Sequence, residues 1–243
     1  MQSPDVLALM RGDARSFRSA FGVMLAAAAM MAPLYASAEC GDGPDPGVNW
    51  AGCEKHRLIL RQANLRGAKL AGVDLSGSDL QGANLNGADL TRASVDRVRL
   101  SGADLSGARL SQLSGFRTNL ANARLLRADL SKAEMGRSNF TEADLGGANL
   151  SKAELQRSVM LGANLVGANL TGADLARVNL LGAKLAGANL LQSRLFLTRV
   201  EGVDLSQAQG LTQAQLDSAC GDTKTVLPKG LKTPARWPCP KDD

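Results

Sequence analysis

A repeat solenoid with a lattice-like core is the fold class this 243-residue sequence predicts, and three observations predict it. The first is composition. Hydrophobic residues make up 44% of the chain but aromatics only 3%, so the apolar share is almost entirely Leu, Ala and Val. An irregular core needs large aromatics to fill its gaps, whereas Leu and Ala suffice when identical side chains stack in register. The second is period. From position 60 to position 205 every fifth residue, 30 sites in all, is Leu, Val, Met or Phe, with Gly115 the one exception. Two residues before each site stands Ala, Ser, Thr or Val, except at Leu58 and Leu113. A period of five fits neither the 3.6 of a helix nor the 2 of a strand, and phase kept over such a length marks a repeat architecture. The third is the scarcity of special residues. A single His leaves little for acid–base or metal chemistry, and well-mixed charges at 21% exclude a disordered polyelectrolyte.

The elements follow in chain order. Arg11, Arg15 and Arg18 precede an apolar run from Ala20 to Ala32, then Pro33 and Ala36-Ser37-Ala38. Basic region, short apolar region and A-x-A site predict a secretory signal peptide over residues 1–38, cut before Glu39. The apolar run, 13 residues, is shorter than the roughly 20 that span a bilayer. The alternative is an uncleaved segment that tethers the chain to a membrane. Cleavage removes three Arg and two Asp, taking the net charge from +5 to +4. Glu39 stands where lipidation of Cys40 would want a small residue.

Cysteine usage agrees with an exported, periplasmic or secreted location. Cys40 and Cys53 precede the repeat, and Cys220 and Cys239 follow it. Four cysteines allow three pairings, and proximity favours Cys40–Cys53 and Cys220–Cys239. Each such loop contributes roughly 3 kcal/mol in the chain-entropy model. The spacings are not those of zinc ligands and only His56 stands near, so neither metal nor cofactor is expected. Residues 39–56, rich in Gly and Pro, read as an N-terminal cap with Trp50 as plug. Residues 57–209 are the repeat, and residues 210–243 are a C-terminal cap. Within it, 211–219 reads as a short helix with Thr212 as N-cap, Leu211 and Leu216 covering the last coil. The Pro-rich tail that follows carries Trp237, a second plug, and is tied back through Cys239.

Ala88-Asp89-Leu90, Ala103-Asp104-Leu105 and Ala188-Asn189-Leu190 show the repeated unit in pure form. Residues 57–209 resemble the pentapeptide-repeat family, whose unit is written A(D/N)LXX. The segment LTQAQLDSACGDTKTVLPKGL resembles the C-terminal extension of exported bacterial members. The resemblance implies an all-β solenoid, a right-handed quadrilateral β-helix in which four units form one square coil. The central Leu and the small residue two before it then point inward, and the other three positions face solvent. Elementary packing agrees, because a square tube admits one large side chain per face only if the second inward residue is small. Stacked at about 4.8 Å, the 30 faces give a tube roughly 36 Å long. Gly at the last unit position, as in Gly67 and Gly72, supplies the positive φ of tight corners. Asn149, Asn169 and Asn189 are expected to form an external amide ladder. Gly115 leaves a hole for Leu113 or Phe116 to fill.

Residues 20 apart stack, so surface columns can be read directly. Arg97, Arg117, Arg137, Arg157 and Arg177 form one column. Arg92, Lys132 and Lys152 form its neighbour, interrupted by Gln112, and Glu134, Glu154 and Asp174 run between them. These columns read either as a charge-balanced ladder that holds register or as a strip for an anionic polymer or lipid headgroup of the envelope. Leu161, Leu181, Leu191, Phe196 and Leu197 form a candidate apolar interface near the end of the repeat. It would serve a homodimer through the C-terminal coils, or lie beneath the tail. Family members that imitate DNA present long acidic faces, and the positive charge here argues against that role. The serines are expected to face solvent without a neighbouring His, and a solid convex rod offers no concave pocket. The expected function is therefore a non-catalytic exported scaffold or protein-interaction module with an unidentified protein partner.

Overall fold

Five backbone N–H groups per repeat must each find an acceptor, and the unit Ala83–Gly87 shows how this dictates the coil. The Ala83 N–H closes a turn onto the Leu80 carbonyl at 3.0 Å. The Asn84 N–H reaches back one coil to the Ala63 carbonyl at 2.9 Å. The N–H groups of Leu85 and Gly87 reach forward to the carbonyls of Asp104 (2.7 Å) and Ser106 (3.0 Å). The fifth, of Asn86, is accepted by the Asn84 side chain Oδ1 at 3.1 Å. An Asp or Asn before the central Leu is thus the cap of the following turn. The same bond recurs at Asp89–Thr91, Asp104–Ser106 and Asp129–Ser131.

A computed structural model describes residues 39–239 of the chain. The signal sequence expected over residues 1–38 lies outside the described residues. Parallel bridges join the residue before most central sites to the one 20 further on, so the chain winds as a four-sided coil. The column from Asn49 through Lys69, Asp89 and Arg109 to Gln209 runs without a break. Leu65, Leu85, Leu105 and Leu125 form one inward stack, with Ala68, Ala88, Ala108 and Ala128 at the next corner, none more than 1% exposed. The third residue of each coil turn from Gly47 to Gly202 has φ between about +53° and +73°, which is why glycine recurs there, as at Gly87.

The coil begins earlier than the repeat pattern predicts. Residues 48–56 already follow its geometry, with Asn49 bridged to Lys69 and Glu54 to Asp74. Trp50 occupies the first central site at 1% exposure, its Nε1–H donating to the Asp42 carbonyl at 3.1 Å and Lys55 Nζ lying 4.3 Å over its ring. A broad aromatic there closes a tube end that Leu would leave open. The periodicity passes unseen because Trp50 and Lys55 stand at the central positions where the repeat has Leu, and Cys53 where it has Ala. The Cys40–Cys53 disulfide ties the preceding segment down, and the Glu39 N–H pairs with the Asn49 carbonyl at 2.9 Å.

At the other end helix α1 (Gln213–Ser218) replaces one side of a last coil that still bridges Arg199 to Cys220 and Asp204 to Val226. Thr212 caps it in a reciprocal box with Gln215. The Gln215 amide also donates to the carbonyls of Leu190 and Ser193, both at 2.9 Å; the first already accepts the Ser193 turn N–H, and the second is an acceptor that a further coil would have used. Leu216 is fully buried and Leu211 partly so. The second disulfide joins Cys220 to Cys239, and Trp237 donates from Nε1 to the Ala219 carbonyl at 2.8 Å. Both pairings are those favoured by proximity.

Three expectations need correction. The space at Gly115 is filled by Leu113, one of the two residues expected there, together with Met135 in place of Phe116; their ends lie 3.1 and 2.9 Å from where a Cβ would stand. Phe116 instead points outward, 40% exposed. The remaining void is about 10 Å³, at the lower limit for holding one water. The amide ladder runs Asp129–Asn149–Asn169, at 2.9 and 3.3 Å, and stops short of Asn189. Nor do all serines face solvent. Ser78, Ser138 and Ser158 are inward and 1% exposed, because a hydroxyl is small enough for the Ala position and finds backbone partners there.

One carboxylate is buried at the first coils. Asp79, its side chain 3% exposed, accepts from Arg61 Nε and from Arg99 Nη2 at 2.9 Å, and caps the Gln81 N–H at 3.2 Å. Burial would raise its pKa, but these bonds outweigh it and hold the carboxyl below the usual range. The native state therefore binds this proton less tightly than the unfolded chain does. The resulting stability is full above the unfolded value near pH 3.9 and is lost as pH falls through the lower native one. Urea midpoints measured from neutral pH downward are expected to fall in that range, and Asp79→Asn to flatten the acid dependence; an unchanged slope counts against the assignment. At Gly115, Gly115→Leu is expected to cost about 1–3 kcal/mol by overpacking and Leu113→Ala about 2–4 kcal/mol by cavity formation. The double variant restores the regular Ala–Leu pattern and is expected to recover at least half of the summed loss in chemical denaturation; simple additivity would refute the exchange.

Candidate functional site

The columns read from sequence map onto corners of the coil. Arg97, Arg117, Arg137, Arg157 and Arg177 stack on one corner, and Arg92, Lys132 and Lys152 on the next, with Gln112 between Arg92 and Lys132. All eight are exposed. Every one of them sits at the left-handed turn position, with φ from 57° to 60°, where the other two corners are mostly Gly. A side chain there costs about 1–2 kcal/mol relative to the right-handed region, a cost glycine avoids. Like charges stacked at this pitch add roughly 1 kcal/mol of repulsion per neighbouring pair in water before screening.

Electrostatic pairing does not offset these costs. The ion pairs among the described residues belong to Arg61 and Arg99 with Asp79, Arg109 with Asp89, Arg194 with Asp174, and Arg199 with Glu201. None involves the corner arginines. The expected charge balance with Glu134, Glu154 and Asp174 is absent as direct ion pairs. Asp174 is held by Gln156 and Arg194, and Glu134 and Glu154 stand exposed. On the second corner, Arg92 donates from Nε to Gln112 at 2.9 Å.

The first corner is nonetheless rigid. Beside the arginines, Thr118, Ser138 and Ser158 point inward and bind the coils together. Thr118 Oγ1 donates to the Val95 carbonyl (2.7 Å), Ser138 Oγ to that of Gly115 (2.7 Å) and Ser158 Oγ to that of Met135 (2.9 Å). In return Ser138 Oγ accepts from the Thr118 N–H, and Ser158 Oγ from the Ser138 N–H. On the outside, the rings and guanidiniums meet: Arg117 and Arg137 lie 5.3 and 5.7 Å from the Phe116 ring. The Phe116 N–H is capped by Asp96 from the preceding coil at 2.8 Å, which commits that carboxylate to the backbone. Where Glu134 and Glu154 replace the capping Asp or Asn, the N–H groups of Gly136 and Gln156 find no protein acceptor among the described residues. These two residues line a shallow groove of about 360 Å³ with Phe116, Arg137 and Arg157.

The proposed apolar interface does not form one patch. Leu161 and Leu181 share a corner and are half-buried, while Leu191 projects from the diagonally opposite corner at 46% exposure. Phe196, 43% exposed, and Leu197 stand at the C-terminal end of the arginine corner. Residues 30 apart, such as Leu161 and Leu191, differ by half a coil, so nearness in sequence does not make them neighbours on the surface.

A second groove, about 480 Å³, runs on from Phe116 past Arg97 and Arg57 and places His56, Asp74 and Ser76 on one rim. Contrary to the sequence expectation, a serine does therefore lie near the single His. The trio is not joined as a charge relay: Ser76 Oγ pairs with Ser94 Oγ at 2.8 Å, and the Ser76 N–H binds Asp74 at 2.8 Å. The hydrogen bonds from Ser76 hold the Asp74 carboxyl below its usual range. Among the described residues no group of His, Cys, Asp and Glu could hold a metal ion, and no helix is long and apolar enough to cross a membrane.

The Pentapeptide repeats family matches the chain in eight copies between residues 59 and 209. A comparison with curated proteins gives no match. Among solved structures, QnrB1, a plasmid-mediated fluoroquinolone resistance protein, is 17% identical with a TM-score of 0.62, covering 74% of this chain and 91% of its own. HetL of the cyanobacterium Nostoc sp. strain PCC 7120, a pentapeptide repeat protein involved in heterocyst differentiation regulation, is 28% identical with a TM-score of 0.45, covering 78% of this chain and 84% of its own. The QnrB1 likeness bears on fold alone. With the family matched over more than half its length and the coil formed as the repeat requires, this chain belongs to the pentapeptide-repeat family and folds as its right-handed quadrilateral β-helix.

Proposed function

We propose that the protein is an exported, non-catalytic scaffold that presents the outside of its coil to a partner. The observation that carries this reading is the disulfide at each end, Cys40–Cys53 and Cys220–Cys239, with no free cysteine among the described residues. Disulfides persist in oxidising compartments, and these two fasten the segments that close the tube. The filled interior supports a scaffold role, because stacked Leu and Ala leave no internal chamber in which a substrate could be desolvated. The buried hydroxyls of Ser138, Ser158 and Thr118 are committed to backbone carbonyls.

Chain recovered from an exported fraction is expected to begin at Glu39; an intact N-terminus there would favour a membrane tether, and confinement to the cytoplasm would overturn export. Replacing Cys220 and Cys239 together by Ser is expected to lower stability by about 2–4 kcal/mol in denaturant titration. Reductant should lower the melting temperature of the natural chain but not of a variant lacking both disulfides.

A further inference from the structure

We infer that the corner carrying Arg97, Arg117, Arg137, Arg157 and Arg177 is a binding track for an extended polyanion, a linear chain with closely spaced phosphate or carboxylate groups. This rests on the exported-scaffold reading and names the chemistry of its partner. Four observations converge. The arginines recur at every coil, about 4.8 Å apart, so cationic groups repeat along a straight line some 19 Å long. All five are exposed and without an ion pair, as are Arg66, Arg124 and Arg127, whereas Arg99, Arg109, Arg194 and Arg199 find carboxylates. Each occupies a left-handed backbone position that is mostly Gly on the two corners without basic columns, so the chain keeps a cation where its own folding favours none. The backbone beneath is fixed by the Thr118, Ser138 and Ser158 hydroxyls, which gives the row a rigid footing.

The geometry also selects the form of the anion. The row is a ridge one residue wide. Exposed Glu134 and Glu154 stand on the face beside it, where a flat anionic membrane would press its headgroups against them. A flexible chain can follow the corner and avoid that face. The N–H groups of Gly136 and Gln156 lie beside Arg137 and Arg157 and lack protein acceptors among the described residues, so they add neutral donors to the same track. Phe116, packed against Arg117 and Arg137, restricts the spread of two of the guanidiniums.

The test uses the full mature chain with both disulfides formed, and glycine as the replacement. Gly accepts the left-handed turn, so Arg137→Gly with Arg157→Gly separates binding from folding. If the row binds a polyanion, the double variant melts at or above the natural temperature. Its affinity for short-chain inorganic polyphosphate or polygalacturonate then falls about tenfold or more, and the slope of log affinity against log salt drops by about two. Comparing the two polymers separates phosphate from carboxylate chains. Charge-matched Arg109→Gln with Arg124→Gln, on other faces, should leave affinity within about twofold. The proposal is overturned if the natural chain binds neither polymer at low salt, or if the glycine variant binds unchanged. It is equally overturned if the glycine variant is destabilised, if the control loses as much affinity, or if anionic vesicles are bound while both polymers are not. Failure of any of these arms leaves export untouched, because N-terminal sequencing decides that separately.

Discussion

Each repeat must place five backbone N–H groups, and the turn N–H after the central residue is the one left to side-chain chemistry. The other four N–H groups of a repeat are satisfied by stacking and turn closure, whatever the side chains. The fifth is left facing outward, and the Asp or Asn two residues earlier satisfies it, as Asn84 does for Asn86. Where an Asp or Asn is present, that bond fixes the side chain of one outward residue and reinforces the corner; the coil continues without it where Lys69, Arg109, Arg124 or Lys184 stands at the capping position. Inward, the complement is steric: one Leu and one Ala per face, repeated until the tube is dry.

Units without a capping Asp or Asn occur on all four sides of the coil, and two of them adjoin the arginine corner. Glu134 and Glu154 are one methylene too long to close the short ring that Asp and Asn make, and they leave the turn donors of Gly136 and Gln156 without protein acceptors. The same corner carries arginine at the left-handed position, so it is less favourable by backbone conformation, by charge repulsion and by turn capping together. What compensates is internal. The hydroxyl column of Thr118, Ser138 and Ser158 adds inter-coil bonds at this corner, where the Thr118 and Ser138 turn bonds lengthen to 3.3 Å. Stability and surface chemistry are thus assigned to opposite sides of one backbone.

The two ends solve one problem by different means. A coil that stops exposes backbone acceptors and an apolar cross-section. At the N-terminal end a large aromatic, Trp50, fills the cross-section and a disulfide holds the covering segment. At the C-terminal end α1 lies across the tube, and Gln215 supplies donors to the carbonyls of Leu190 and Ser193.

Most of the fold was legible because its period is local: a residue's inward or outward sense depends only on its place within five, and its column only on its place within 20. The five-residue phase, the Thr212 cap and both disulfide pairings follow from counting and proximity, and the square coil with its arginine columns from the resemblance to the pentapeptide-repeat family. Other features depended on volumes and directions that counting does not carry. Trp50 and Cys53 extend the coil because they fit inward sites as a plug and a small residue, although neither matches the repeated letters. Leu113 and Met135 rather than Phe116 fill the space at Gly115, since inward-pointing neighbours reach it and an outward one cannot. Leu161 and Leu191 stand close in sequence and half a coil apart in space. The sequence by itself determined the lattice, because stacking repeats one local geometry. Only the tertiary structure decided which charges meet, because ion pairing depends on side-chain reach across coils, and at the arginine corner that reach finds no carboxylate.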